Sequence, residues 1–365
     1  MSFYRTLLEG DVNVLDNDND GSEMAKKLMK EIDDQEINID EVESAADAEF
    51  EPGEGVDDIM DEMYMAIAEA EMDWNAMMQE AGLMELSEAA RGIVTEGKMD
   101  SVKDFFNKTK EKIKEFFNKV WQVIQRWASN LTAVVATNKK LASKYADKIK
   151  SGYEKYKSDS SIDRIEGYTF SGVEEAFNKF KAKAEVKYAE GEDGGREILR
   201  SLRKEYAGSE DSSDFRSNMM EKLRGSKDTV KLSISGEEVI KMLKEDEVTK
   251  KKVREAMNQS KKEFKSAIKK VDELQKKAEK AAGSKDAAEK AEGKANYAKY
   301  TVQATNIREQ LKILQIVRSC LLSAIGAKAK QARKVANAYI RLGNKEKYKG
   351  FQNESYGFLS GLNLI

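Results

Sequence analysis

Histidine is missing from all 365 residues. Its absence removes the commonest general base, the commonest metal ligand and every Ser-His or Cys-His nucleophile pair. Proline occurs once, at Pro52, so helix breakers are scarce and a mainly α architecture is expected. The single cysteine, Cys320, cannot close an internal disulfide. It lies in the apolar run from Leu314 to Ile325 and reads as a small buried hydrophobe in a reducing compartment. Long apolar runs are lacking too. The best of them, Ile307 to Ile325, is interrupted by Arg308, Glu309, Lys312 and Arg318, so no bilayer span is expected. The N-terminus has no basic stretch leading into an apolar core, which points to synthesis in a cytoplasm. No Gly-rich fingerprint, nucleophile motif or metal-ligand cluster accompanies the many carboxylates. Neither enzymatic activity nor a cofactor is expected.

What the chain does have is charge, and the two signs are segregated. Met1 to Glu96 holds 28 Asp and Glu against 5 Lys and Arg, a net of −23. The remaining 269 residues hold 38 acidic and 58 basic residues, a net of +20. One reading is an acidic tail beside a helical body, free to fold back and mask it. The sharper reading is that the halves are meant to be separated.

A four-residue pattern favours separation. Leu or Ile, any residue, Glu, then Gly or Ala occurs three times: Leu7-Leu8-Glu9-Gly10, Ile67-Ala68-Glu69-Ala70 and Leu86-Ser87-Glu88-Ala89. All three lie in the acidic segment. Allowing valine first adds Val94-Thr95-Glu96-Gly97 at the charge boundary, and also Val173-Glu174-Glu175-Ala176 and Val253-Arg254-Glu255-Ala256, which read as chance matches inside helices. The pattern resembles the sites cut after glutamate by prohead proteases of T-even-type bacteriophages. The start, Met1-Ser2-Phe3-Tyr4-Arg5-Thr6-Leu7-Leu8-Glu9-Gly10, is similar to the capsid-targeting peptides of internal head proteins of those phages. The resemblance covers residues 1–97. It implies cleavage after Glu9, Glu69, Glu88 or Glu96, leaving Gly10, Ala70, Ala89 or Gly97 as the new N-terminus. It also implies a prohead protease and capsid or core proteins as partners, with the mature product inside the capsid of a virion. Such a protease needs an extended substrate, which the acidic segment around Pro52 and Gly53-Glu54-Gly55 is expected to supply in part.

Two further signals lie in the acidic half. Asp16-Asn17-Asp18-Asn19-Asp20-Gly21 copies the first half of an EF-hand loop, but Lys27 stands at the twelfth position, so the run reads as a solvated linker and no metal is expected. Ile59, Met63, Ala66, Ile67, Ala70, Trp74, Met77 and Met78 recur at helical spacing and predict an amphipathic helix over 57–82.

In the basic half, Asp104-Phe105-Phe106-Asn107-Lys108 returns eleven residues later as Glu115-Phe116-Phe117-Asn118-Lys119. Eleven residues is close to three helical turns, so both Phe pairs share a face. Val102, Ile113, Val120, Ile124, Trp127, Leu131 and Val135 extend it, and the aromatics read as core. The opposite face is rich in lysine. Lys103, Lys108, Lys110, Lys112, Lys114 and Lys119 are the candidate phosphate contacts for non-specific DNA binding. Val230 to Ile234 alternates like a strand before a helix starting near Glu237, which suggests a small α or α+β module over 158–245. Gly191-Glu192-Asp193-Gly194-Gly195 reads as a loop. Helical periodicity over 247–282 and 295–342, with a polar turn at 283–293, predicts an antiparallel hairpin followed by an apolar tail.

The expected organisation is therefore an acidic propeptide (1–96), a basic amphipathic helix (97–157), a small module (158–245) and a helical hairpin with its tail (246–365). The fold class expected is an elongated helical bundle. Three functions compete: a packaged internal head protein matured by loss of its leader, a prohead core or other virion structural protein, and a bacterial cytosolic helical protein or secreted effector with an acidic tail. A host target after ejection is compatible with the first.

Overall fold

The computed structural model describes residues 20–35, 65–70, 72–73, 75–76, 99–158, 167–182, 192–208, 214–225, 234–282 and 287–343. The elements among them are helices: α1 (Asp20–Asp33), α2 (Met99–Ser158), α3 (Gly172–Ala182), α4 (Glu192–Ala207), α5 (Phe215–Arg224), α6 (Gly236–Leu243), α7 (Asp246–Ala282) and α8 (Ala287–Gly343). Residues 65–70 are also helical. The fold is mainly α.

Three long helices form the frame. On α2 the eleven-residue repeat places Phe105, Phe106, Phe116 and Phe117 in the core, and the buried stripe continues through Ile113, Val120, Ile124, Trp127, Leu131 and Val135. Phe116 and Phe117 both meet Phe264 of α7 edge-on, with ring centroids 5.3 Å apart. Lys110 of α2 reaches Gln275 of α7 while Phe117 reaches Phe264, so these helices run antiparallel. Glu263 of α7 meets Arg318 of α8, and Glu245 just before α7 meets Lys328, which makes that pair antiparallel as well. It follows that α2 and α8 run parallel. Asn138 bonds to the carbonyl of Ala329, and Lys155 to that of Leu342.

The most apolar part of α8 is buried all round, from Ile313 to Gly326. Its neighbours are α2, α7, α4 and α5. Val302–Gly343 is long and apolar enough to cross a bilayer by length and composition alone. Yet 89% of its most apolar stretch is buried inside the fold, as befits the central helix of a bundle. Cys320 sits there at 0% exposure, and burial pushes its thiol up to about 12, so it stays an unreactive thiol.

A buried ion pair crosses this core. Arg318 Nη2 lies 2.5 Å from Glu263 Oε2, both side chains fully buried, and Gln315 bonds to both. The Arg318 guanidinium also lies over the Phe180 ring at 5.2 Å. Burial pushes the Glu263 carboxyl above the usual carboxylate range, against the pull of Arg318 and of the Gln315 and Gln259 amides. Among the described residues, Glu263 Oε1, Arg318 Nε and the Tyr206 hydroxyl nearby find no hydrogen-bond partner.

The described elements within 158–245, α3, α4, α5 and α6, are helices, and the strand-like stretch Val230 to Ser233 lies outside the described residues. One expectation there is corrected: the glycine cluster is not wholly a loop, because α4 begins at Glu192. The buried and half-buried Leu199, Leu202 and Tyr206 farther along give α4 an apolar side that packs on α8, and this outweighs a cost of about 1 kcal/mol for each glycine in its first turn. The start of α6 does follow local rules. Ser235 Oγ accepts from the Glu238 amide (3.1 Å) while the Glu238 carboxylate accepts from the Ser235 amide (2.9 Å), a full capping box.

At the far end of the bundle α6 packs against the C-terminal parts of α2 and α8 around a second core, with Ala142, Ile149, Val239, Val335, Ala336 and Tyr339. Here α2 is interrupted at Tyr145, whose φ of −122° and ψ of 17° leave the helical region. The contact is close because Gly152 lacks a side chain. A Cβ there would stand 1.8 Å from the Tyr339 carbonyl oxygen, an atom of a helix backbone that cannot swing aside. Gly152→Ala should therefore force α2 and α8 apart and lower stability by about 1–3 kcal/mol. Urea unfolding checks this; an unchanged midpoint would mean that the helices separate at no cost.

Candidate nucleic-acid interface

The six lysines proposed from sequence do not share one environment. Lys110 is 0% exposed and belongs to the core: Nζ donates to Gln275 Oε1 at 2.8 Å and pairs with Asp272 at 3.3 Å. Burial lowers its pKa, and Asp272 opposes that shift. Contrary to the sequence expectation, it cannot touch a phosphate. The physical reason is its register: Phe106, Lys110, Ile113 and Phe117 fall on one helical face.

Lys108 pairs with Asp104 at 3.3 Å and Lys112 with Glu115 at 2.8 Å, both within α2. Lys103 is half-buried. The last two candidates face the acidic leader. Lys114 Nζ lies 2.7 Å from Glu31 of α1, and Lys119 Nζ lies 3.1 Å from Glu69 and 3.2 Å from Asp73. Partial burial would lower the Lys119 pKa, but bonds to Glu69 and Asp73 outweigh it and raise the value above normal.

Sequence reasoning missed the rest of this contact. Lys265 of α7 pairs with the Asp33 carboxylate at 2.6 Å, and Lys261 donates to the Asp33 carbonyl at 2.9 Å. Lys261 also lies 5.3 Å from the centre of the Trp121 ring. Lysines of α2 and α7 thus form one basic face, and leader carboxylates occupy it. The signal for α1 was present in the spacing of Ala25, Leu28 and Ile32, three residues that enter the main core. Asp20, read as part of a linker, is the first residue of that helix.

Apolar contacts hold the leader more firmly than the ion pairs do. Leu28, Ile32 and Ile67 are 8%, 0% and 3% exposed. Burying such side chains contributes roughly 1.5–3 kcal/mol each as an upper estimate, against about 0.2–1 kcal/mol for a half-exposed ion pair. The charges set where the leader lies; the apolar residues keep it there.

The candidate cut sites are treated unequally. Ile67-Ala68-Glu69-Ala70 is helical, with Ile67 buried and Glu69 paired to Lys119. This agrees with the amphipathic helix expected over 57–82, whose apolar face, Ile67 included, is used for docking; Pro52 and Gly53-Glu54-Gly55, where an extended substrate was expected, lie outside the described residues. The valine-led matches at Val173 and Val253 are likewise helical with the valine buried. Glu9, Gly10, Glu88, Ala89, Glu96 and Gly97 lie outside the described residues. Comparison with protein-family models, curated proteins and solved structures finds no match to this chain.

Proposed function

We propose that the chain is the precursor of a non-enzymatic phage head protein, in which an acidic leader docks on a basic helical body and is removed by proteolysis after Glu88 or Glu96. The body then associates with packaged DNA through lysines that the leader had covered. One observation carries this reading: Glu31, Asp33, Glu69 and Asp73 of the leader sit on Lys114, Lys265 and Lys119 of the body. A further support is the position of the glutamate sites Glu88 and Glu96, between that docked leader and the first residue of α2.

Incubation with a T-even-type prohead protease is the test, read by intact mass over time. Products beginning at Ala89 or Gly97 should appear first. Products cut after Glu69 should come only later, because that bond must leave a docked helix before it can be cleaved. A chain that stays intact, or one cut first at Glu69, would overturn the proposal. Cleavage at Glu88 without any gain in DNA retention would favour the core-scaffold alternative.

A further inference from the structure

Among the described residues, leader carboxylates meet the basic region of Lys114, Lys119 and Lys265. A second lies at the opposite end of the bundle, where α2 and α8 close around the Tyr339 core. Residues 139–157 of α2 carry seven Lys and Arg against two acidic residues, and residues 328–341 of α8 carry five against none. With residues 236–245 of the intervening α6 segment, these three described segments hold fourteen basic and five acidic residues. The comparison that matters is with α7, whose twelve basic residues are interspersed with seven acidic ones over 37 positions. A solvated helix has that mixed pattern; the distal end does not.

The lysines there are also ordered. Lys140, Lys144 and Lys148 recur every four residues on α2, and all three are exposed. Lys144 and Lys148 flank the Tyr145 ring at 5.3 and 5.6 Å, at the break in the helix. On α8, Ala332, Val335, Ala336 and Tyr339 take the inner face, which leaves Lys330, Arg333, Lys334 and Arg341 toward the outer one. Three acidic residues of this end are already engaged or beside α6: Glu237 near Lys150, Glu245 near Lys328, and Glu238 in the capping box.

This region is electrostatically independent of the covered one. Lys119 and Lys144 are 25 residues apart on α2, about 38 Å at the helical rise. Screening at physiological salt acts within about 8 Å. Leader carboxylates paired with Lys114 and Lys119 therefore do nothing to quench the distal end.

We propose that the C-terminal halves of α2 and α8 form a second polyanion surface, which binds the sugar-phosphate backbone of duplex DNA and stays open while the leader is attached. This rests on the reading of the body as DNA-associated. The uncut chain then has one DNA surface, and clipping supplies another at the opposite end, so that maturation turns a protein that holds one duplex into one able to bridge two.

The test uses the full, uncut chain and a 30-base-pair duplex, with fluorescence anisotropy at several salt concentrations. Lys140→Gln/Lys144→Gln/Lys148→Gln/Arg333→Gln should weaken binding at least tenfold at low salt and flatten the salt dependence by about one unit of log–log slope per lost contact. Lys179→Gln/Lys222→Gln, exposed on α3 and α5 and away from both basic regions, should leave the uncut chain's binding unchanged. Far-ultraviolet circular dichroism and the thermal midpoint establish that each variant is folded. If the distal variant binds like the parent, the distal surface is wrong, and a clipped body that still gains affinity leaves the reading of the covered face intact. If the Lys179/Lys222 variant is weakened as much as the distal one, binding follows net charge and the distal surface is wrong. No binding by the folded uncut chain, or a preference for vesicles containing 30% anionic phospholipid over the duplex, overturns the proposal outright.

Discussion

Replacing Glu263 with leucine alone should lower the stability of the folded chain by about 3–5 kcal/mol, among the largest effects open to one substitution. The reason is that Arg318, 0% exposed, would keep a charge that it cannot shed at any working pH. Arg318→Met should cost less. The stranded Glu263 can accept a proton, and burial already pushes its carboxyl upward. With the folded-state pKa raised above the unfolded one, the lost stability is recovered below the unfolded value, near pH 4, and grows as pH rises through the folded value. The Arg318→Met variant should therefore lie nearer the parent at pH 5 than at pH 8, whereas Glu263→Leu should show no such recovery. The double change, Glu263→Leu/Arg318→Met, should return to the parent's stability or exceed it. A pair whose Glu263 Oε1 and Arg318 Nε lack partners carries desolvation cost that two apolar side chains avoid. Urea unfolding at the two pH values decides the matter. Single variants within 1 kcal/mol of the parent, or a double variant as weak as Glu263→Leu, would show that the pair is not the buried device described here.

That pair also marks where sequence reading stops. The helical frame was legible because repeats at eleven residues and periodic apolar positions are local facts: Phe105 and Phe116 had to share a face, and one side of α2 had to be buried. Lys110 was legible in principle, since it falls four residues after Phe106 and three before Ile113, yet its residue type argued for solvent. What makes the position tolerable is Asp272, 162 residues away, and no local pattern names that partner. Arg318 is the same case. In the sequence it interrupts an apolar run; in the fold Glu263, Gln315 and the Phe180 ring receive it. The α4 glycines failed for the opposite reason. Local propensity gave the wrong answer because packing of Leu199, Leu202 and Tyr206 outweighs it. As for the candidate site, the sequence showed that the two halves carry opposite charge but not that α1 lies on α2 and α7. Leu28 and Ile32 decide that, together with lysines of α7 that periodicity assigned only to a hairpin.

Removing the leader should change DNA binding more than any single lysine substitution. Clipping after Glu88 or Glu96 and separating the leader uncovers Lys114, Lys119, Lys261 and Lys265. Four added phosphate contacts steepen the log–log salt dependence by roughly 3–4 units, which between 50 and 200 mM salt is about a hundredfold difference in how far affinity falls. Because Leu28, Ile32 and Ile67 supply most of the docking energy, high salt alone should not unmask the face; Leu28→Ala/Ile32→Ala/Ile67→Ala should do so in the uncut chain. Clipping acts on the same balance by a different route. A tethered leader re-docks at an effective concentration in the millimolar range, and once cut it must compete at its bulk concentration. Salt titrations of duplex binding by the uncut chain, the clipped body and the triple-alanine variant should therefore fall into two groups, with the last two together. A clipped body whose salt slope matches that of the uncut chain would mean that the leader's carboxylates had never stood in the place of phosphates.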